Sequence, residues 1–70
     1  MMQRQPVASS NLRSVGYDRA QNILEIEFQG GRVYRYLGVP EDVHLALMGA
    51  GSKGTYFSTF IKDRYPTQRT

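Results

Sequence analysis

The residues that could do chemistry in this chain are few. Glu25 and Glu27 alternate along a predicted strand, as a pair of acid/base carboxylates could, but no nucleophile lies near them. His44 is the single histidine and there is no cysteine, whereas a zinc site usually takes at least three protein ligands. We therefore expect no catalytic residues, no metal and no cofactor, and we interpret the two glutamates as a solvated strand face opposite neighbouring arginines.

A glycine-rich segment, residues 49–54, matches the letters of the dinucleotide-binding fingerprint G-x-G-x-x-G. That fingerprint needs a strand before it and a βαβ unit around it, and a chain of 70 residues with helices on both sides of the segment supplies neither. A phosphate held by Ser52, Lys53 and the free N–H groups of the following helix stays open. The simpler interpretation, which we favour, is a helix-to-helix turn with Ser52 as N-cap.

The triplet Tyr34-Arg35-Tyr36 is the most suggestive feature for binding. Tyrosines on a sheet with a basic residue between them can stack nucleic-acid bases and hold phosphates. Alternatively, both rings pack under a helix and only their hydroxyls reach the surface. The second interpretation is favoured by the strand register that we predict for the hairpin around Gly30 and Gly31. That register leaves Arg35 pointing outwards alone.

The elements that must position these residues follow from periodicity and turn chemistry. Strands are predicted at residues 12–17, 23–28 and 32–37, and helices at residues 40–48 and 53–65, where Pro66 stops the second. This order predicts an α+β domain, a three-stranded antiparallel meander followed by two helices packed on one face (β-β-β-α-α). We expect a single domain at residues 9–65, with disordered tails at residues 1–8 and 66–70.

The register of the central hairpin decides where the tyrosines point. A two-residue Gly30-Gly31 loop sets Tyr34 and Tyr36 beside Glu27 and Glu25, whereas a three-residue loop with a bulge at Gly31 sets them beside the apolar residues of the preceding strand. We prefer the longer loop, because it collects the apolar side chains on one face: Leu24, Ile26, Phe28, Tyr34 and Tyr36.

Composition limits the class of protein. The chain shows neither a secretory signal peptide nor the roughly 20 apolar residues that span a bilayer, and it has no cysteine, so we expect a soluble cytoplasmic protein without membrane partners. Its net charge is +3, with both ends basic and the middle mildly acidic. Such a balance is compatible with a polyanionic partner, although three net charges are few and do not indicate one alone. The candidate contacts are Arg13, Arg35, Lys53, Lys62 and Arg64.

The first predicted helix is apolar nearly all round. Its main stripe faces the core, while Leu45 and Met48 fall on the far side. These two residues are candidates for a protein interface or a homodimer contact. In the alternative, the helix lies between the sheet and the second helix and buries both sides within one molecule.

Three short motifs give the chain a resemblance to a known family. A Tyr34-x-Tyr36 strand precedes Val39-Pro40, and two further runs follow, Ser52-Lys53-Gly54-x-Tyr56-Phe57 and Ile61-Lys62-x-x-Tyr65. In this order the chain resembles the KTSC domain over residues 8–66. That domain is named for its occurrence at the C-terminus of some lysyl-tRNA synthetases and also occurs as a stand-alone bacterial protein.

The resemblance implies a binding role. The KTSC family has no established activity, and its synthetase context implies RNA, either tRNA or a single strand, as the partner. Most of the residues that carry the match look structural: Tyr34, Tyr36, Ser52, Gly54, Tyr56, Phe57 and Ile61. We expect a small non-enzymatic module that binds RNA, and the alternative is a protein-interaction or homodimerisation module.

Overall fold

The computed structural model describes residues 4–70 as one five-stranded antiparallel sheet and two helices. The strands lie side by side in chain order, and both helices are inserted between the fourth and the fifth strand. The elements are β1 (Arg4–Pro6), β2 (Leu12–Asp18), β3 (Ile23–Phe28), β4 (Val33–Leu37), α1 (Glu41–Gly49), α2 (Lys53–Phe60) and β5 (Thr67–Arg69).

The predicted α+β class is confirmed, but the predicted number of strands is wrong. Four strands precede the helices instead of three, and a fifth follows them. Both additional strands lie in segments for which we expected disordered tails, so that expectation is corrected for residues 4–6 and 67–69, while residues 1–3 lie outside the described residues. Each outer strand has three residues, and all of them belong to the exposed class. The outer strands pair with their neighbours through backbone hydrogen bonds. Because no side chain is buried in them, the sequence shows no hydrophobic pattern there.

The central hairpin has the predicted register. Tyr36 pairs with Leu24 and Tyr34 with Ile26, so the apolar side chains of β3 and β4 share one face. The turn depends on Gly30 and Gly31, whose φ angles of 101° and 91° lie in the left-handed region that glycine adopts without strain. The N–H of Phe28 donates to the carbonyl of Arg32 at 2.8 Å and closes the loop.

The core lies between this sheet face and the two helices. Its fully or nearly fully buried side chains come from β2, β3, β4, the β4–α1 loop, both helices and the residue after α2. The large number of aliphatic and aromatic groups in so small a chain stabilises it without a disulfide. The members are Leu12, Val15, Leu24, Ile26, Tyr36, Val39, Leu47, Phe57 and Ile61.

The second helix is shorter than predicted. It begins as expected after Ser52, whose Oγ accepts a hydrogen bond from the Thr55 N–H at 3.4 Å. It ends at Phe60 and not near residue 65. The N–H groups of Ile61 and Lys62 both donate to the carbonyl of Phe57, and Asp63 takes a φ of 63°, so the chain turns away five residues early. This turn leaves Ile61 fully buried and brings Lys62 and Asp63 towards the sheet.

The opposite face of the sheet carries an ionic row. Arg4, Glu25 and Arg35 occupy the same row on β1, β3 and β4, because Arg4 and Glu25 both pair with Gly16 of β2 while Arg35 pairs with Glu25. The glutamate is 7% exposed. The expectation of a solvated strand face is therefore wrong for Glu25, although the arginines opposite it were predicted.

Candidate functional site

A groove of about 670 Å³ opens between the β3–β4 hairpin and the end of α2. Phe28, Tyr34 and Tyr36 reach it from the helix-facing side of β3 and β4, and Phe57 reaches it from α2. Arg32, Lys62 and Asp63 supply charged groups to its lining. We call this feature the aromatic groove, and its volume is typical of pockets that bury a small ligand.

The four rings of the aromatic groove pack edge to face. Phe28 lies 5.6 Å from Tyr34 and 5.4 Å from Phe57 between ring centroids, and Tyr36 lies 5.4 Å from Phe57, all at interplanar angles of 70–77°. This is a favourable geometry for aromatic pairs. Tyr36 and Phe57 are 6% and 5% exposed and form the floor, whereas Phe28 and Tyr34 are half-buried and keep ring surface open.

The outer part of the groove is polar. Arg32, in the hairpin turn, and Lys62, just after α2, are both exposed. Within residues 4–70 neither of them forms an ion pair. Asp63 adds one carboxylate next to Lys62. Two unpaired cations around exposed ring surface are suited to an anionic, aromatic ligand.

The hydroxyl of Tyr36 is a donor and not a nucleophile. Burial, with smaller contributions from Tyr34 and Asp63, raises the pKa of Tyr36 to about 12. The phenol therefore stays protonated throughout the physiological pH range. It can donate a hydrogen bond to a ligand but cannot supply a phenolate there.

Of the five basic residues predicted to contact nucleic acid, all of them within residues 4–70, the structure places one in the aromatic groove and does not bring the five together. Lys62 lines the aromatic groove. Arg35 lies on the opposite sheet face, and it does not stand alone there as expected, because its Nε donates to Glu25 at 2.9 Å. Arg13 on β2 and Arg64 after α2 are exposed but do not line the groove.

Lys53 is also outside the groove, and its Nζ donates to the carbonyl of Ala50 at 3.3 Å. Together with the Ser52 cap, this bond gives the glycine-rich segment the form of the serine-capped turn that the sequence favoured. Gly54 is buried there, and a Cβ at this position would lie 3.3 Å from Nδ2 of Asn11. A side chain at this position would therefore require the Asn11 side chain to shift slightly.

Two groove residues, Phe28 and Arg32, were not proposed as site residues from the sequence. The sequence pattern assigns Phe28 to the core and places Arg32 at the start of a strand. The preferred hairpin register gave a usable signal, because it placed both residues at the turn next to the tyrosine face. The early end of α2, which closes the other side of the groove, had no such signal.

The remaining motif residues have structural positions. Ile61 is fully buried, while Tyr56 is half-buried and lies 4.7 Å from Phe60 between ring centroids. On α1, Leu45 is 60% exposed and Met48 is half-buried against the core. The alternative in which α1 buries both sides is therefore wrong for Leu45, and its candidacy as an interface residue stays a prediction.

The described residues contain neither a metal-ligand cluster nor a membrane-spanning helix. No group of three or more His, Cys, Asp or Glu side chains in residues 4–70 could hold a metal ion. In the same part of the chain, neither helix is long and apolar enough to cross a membrane. Glu27, the second of the alternating carboxylates, accepts a 2.8 Å hydrogen bond from the Ser14 hydroxyl.

Comparison with known proteins gives consistent matches. The sequence model of the KTSC domain matches residues 8–65. An uncharacterised protein of Stutzerimonas stutzeri is 47% identical over 64 residues, which cover 91% of this chain and 90% of that protein. A KTSC domain protein from Yersinia pestis has a crystal structure with a TM-score of 0.95 and 46% identity, over 100% of this chain and 99% of that chain.

A further relative is a much larger protein. The lysine–tRNA ligase of Nostoc punctiforme is 39% identical over 56 residues, which cover 80% of this chain but 10% of the ligase. The similarity is thus confined to a small part of the synthetase. These matches confirm the resemblance that the three sequence motifs indicated.

Proposed function

The chain belongs to the KTSC domain family, and we propose that it is a non-enzymatic module that binds RNA in the aromatic groove. The observation that carries the proposal is the composition of this groove, where ring surface of Phe28 and Tyr34 lies beside two unpaired cations, Arg32 and Lys62. Aromatic rings that stack bases and cations that contact phosphates are the two parts that RNA-binding surfaces combine.

The context of the relatives supports the same partner. A segment similar to this chain is part of lysine–tRNA ligases, proteins whose name states that they act on tRNA. The net charge of +3 adds a general attraction for polyanions. The lack of cysteine suits the reducing cytoplasm, which is where we place the protein.

The first experiment is an amide-resolved NMR titration of the labelled chain with bulk tRNA, at low and then near-physiological salt. We expect shifts to cluster on the hairpin turn, on β4 and on residues 57–63, and to weaken as salt rises. A lack of shifts at low salt would contradict RNA binding. Shifts confined to Arg13, Lys53 or the opposite sheet face would place the site elsewhere.

A matched pair of variants then tests the groove. Lys62→Gln should weaken tRNA binding and reduce the slope of log affinity against log salt by about 0.7–0.9, the value for one lost phosphate contact. Arg64→Gln removes the same charge two residues away, outside the groove. It should leave the slope nearly unchanged, and equal effects of the two substitutions would contradict a specific role for the groove.

A second candidate function rests on Leu45. A leucine that is 60% exposed on a helix can support contact with a second copy of the chain. Sedimentation of the chain over a wide concentration range tests this homodimer. A concentration-dependent mass that Leu45→Glu abolishes would support it, and a constant monomer mass would exclude it.

A further inference from the structure

We propose that the aromatic groove selects unpaired RNA nucleotides over duplex RNA, with a base stacked on Tyr34 and Phe28 and the flanking phosphates held by Arg32 and Lys62. This inference rests on the proposed function and narrows it to one class of RNA structure. It assigns the groove a ligand of short length, and it makes ring stacking the basis of selection.

The first argument is where the rings lie. Tyr36 and Phe57 form a buried floor, Phe28 and Tyr34 are half-buried, and the polar lining outside them is exposed. A ligand must therefore enter the groove to reach ring surface. In a duplex the base faces are covered by their neighbours, and an A-form helix presents mainly phosphates and ribose hydroxyls. Only an unpaired base can enter and offer its face.

The second argument is size and charge. A groove of about 670 Å³ is in the range of pockets for small ligands, so it takes a short run of nucleotides and not an extended helix. Two cations in the lining, Arg32 and Lys62, provide for about two phosphates. For single strands this predicts a slope of log affinity against log salt of about −1.4. Binding of a duplex across the basic surface would involve more cations and a steeper slope.

Two basic residues outside the groove already have partners within the chain. Arg35 is bound to Glu25 on the opposite sheet face. Lys53 donates to the carbonyl of Ala50 near the start of α2. Neither group lines the groove, whereas Arg32 and Lys62 line it and form no ion pair within residues 4–70.

The experiment uses the full chain with two probes, an octauridylate single strand and a fully paired RNA duplex that is long enough to stay annealed at the temperature and salt of the titration. Uridine is chosen because it stacks weakly on itself. At equal salt, we expect the single strand to bind at least about five-fold more tightly, the lower end of what one stacked base contributes. Equal binding, or tighter binding of the duplex, would overturn the inference.

Two variants test the role of stacking. Tyr34→Leu keeps an apolar side chain but removes the ring, and it should weaken octauridylate binding by about five-fold or more. Tyr56→Leu is the matched control, because Tyr56 contacts Phe60 and does not line the groove. If both substitutions have the same effect, stacking on Tyr34 is excluded. If Tyr34→Leu does not fold, ring-proton shifts of Phe28 and Tyr34 in the unaltered chain answer the same question.

The outcomes separate this inference from the function on which it rests. Binding of tRNA without preference for the single strand would overturn the selection of unpaired nucleotides and leave RNA binding in place. Failure of tRNA and of both probes to bind at low salt would overturn both.

Discussion

At the scale of single residues, the carboxylate of Glu25 on β3 forms ion pairs with side chains on two other strands. Its Oε2 lies 3.2 Å from Nη1 of Arg4 on β1, and its Oε1 accepts from Nε of Arg35 on β4 at 2.9 Å. The side chain of Glu25 is 9% exposed, so both contacts are only partly screened by water. This arrangement holds the side chains of Arg4 and Arg35 on the sheet face away from the helices.

The first prediction concerns this carboxylate. Glu25→Gln removes the charge that both arginines share, and it should lower the free energy of unfolding by about 1–2 kcal/mol in urea titrations. Glu27→Gln is the control, because glutamine can still accept the hydroxyl of Ser14. An equal loss of unfolding free energy for both substitutions would show that the ion pairs of Glu25 with the two arginines add nothing to the stability of the protein.

The second prediction concerns Asp63, the acidic residue in the groove lining. Asp63→Asn removes a charge that opposes phosphates, so affinity for RNA should increase by about two- to five-fold at low salt. Asparagine adopts positive φ at least as readily as aspartate, so the turn at φ 63° is retained. Fluorescence titration measures the change, and unchanged or weaker binding would place the RNA away from Asp63.

The third prediction concerns His44, which stacks on Tyr17 at 4.7 Å between ring centroids and 8° between planes. Burial, opposed by the nearby Glu41, lowers the pKa of His44 below its ordinary value of 6.5. The unfolded chain therefore takes up the proton first as the pH falls. The contribution of neutral His44 to the free energy of unfolding is fully present above pH 6.5. It should be lost as the pH falls through 6.5 to the lower pKa of His44 in the folded protein.

Denaturant titrations between about pH 5 and 8 measure this loss. His44→Phe keeps a ring against Tyr17 but cannot titrate, so its stability should be flatter in this window. An equally steep decline in the variant would assign the pH dependence to other groups.

At the scale of elements, the outer strands complete a sheet whose centre the inner strands already define. β5 pairs with β4 through Tyr34–Arg69, Arg35–Gln68 and Tyr36–Thr67. Just before β5, the carbonyl of Pro66 accepts a 2.8 Å hydrogen bond from the N–H of Leu37. The strand therefore satisfies backbone groups of β4 that would otherwise face water, although its own side chains are exposed.

The fourth prediction tests this contribution. A chain that ends at residue 65 lacks β5 and the acceptor for the Leu37 N–H, so the free energy of unfolding should fall by about 1–3 kcal/mol. Hydrogen exchange of the Leu37 amide should accelerate by more than that of the β3 amides. Unchanged protection at Leu37 would show that the pairing of β5 is not maintained in solution.

At the scale of the whole molecule, the two sheet faces differ in what their basic residues contact. The face away from the helices holds Arg35 in an ion pair, and the helix-facing side opens into the aromatic groove with Lys62. Both residues were predicted as nucleic-acid contacts, and the fold places them on opposite sides. Charge at one position should therefore affect stability, and charge at the other should affect binding.

The fifth prediction is a separation of these effects. Arg35→Gln should lower the free energy of unfolding by about 1 kcal/mol and leave RNA affinity nearly unchanged. Lys62→Gln should change stability by less than about 0.5 kcal/mol, because it is exposed, and should weaken RNA binding. Calorimetry measures the stability of both variants, and RNA titration measures their affinity. If Arg35→Gln loses RNA affinity, Arg35 contacts the RNA after all, as the sequence predicted.

Sequence patterns predicted the parts of the fold that depend on local chemistry. The alternation of Leu24, Ile26 and Phe28 with a glycine turn was enough to place both tyrosines correctly. The same register pairs Arg35 with Glu25, but Arg35 was expected to point outwards alone, so this ion pair was not predicted. The outer strands were missed because Arg4–Pro6 and Thr67–Arg69 have no buried side chain.

The candidate site was harder to predict from the sequence than the fold. Lys62, Tyr34 and Tyr36 were identified as residues of interest, but their meeting in one groove depends on the chain turning at Asp63 after α2. That turn needs a positive φ at an aspartate, which few local signals indicate. Arg32 joins the groove through the same tertiary contact between the hairpin and α2.

The outer strands also affect how separate molecules behave towards one another. β1 and β5 occupy both edges of the sheet and cover β2 and β4, whose longer edges would be better templates for a strand from another chain. Pro6 removes one backbone donor from β1, and each outer strand offers only three residues. Loss of either outer strand should therefore favour intermolecular β-pairing and aggregation at high concentration.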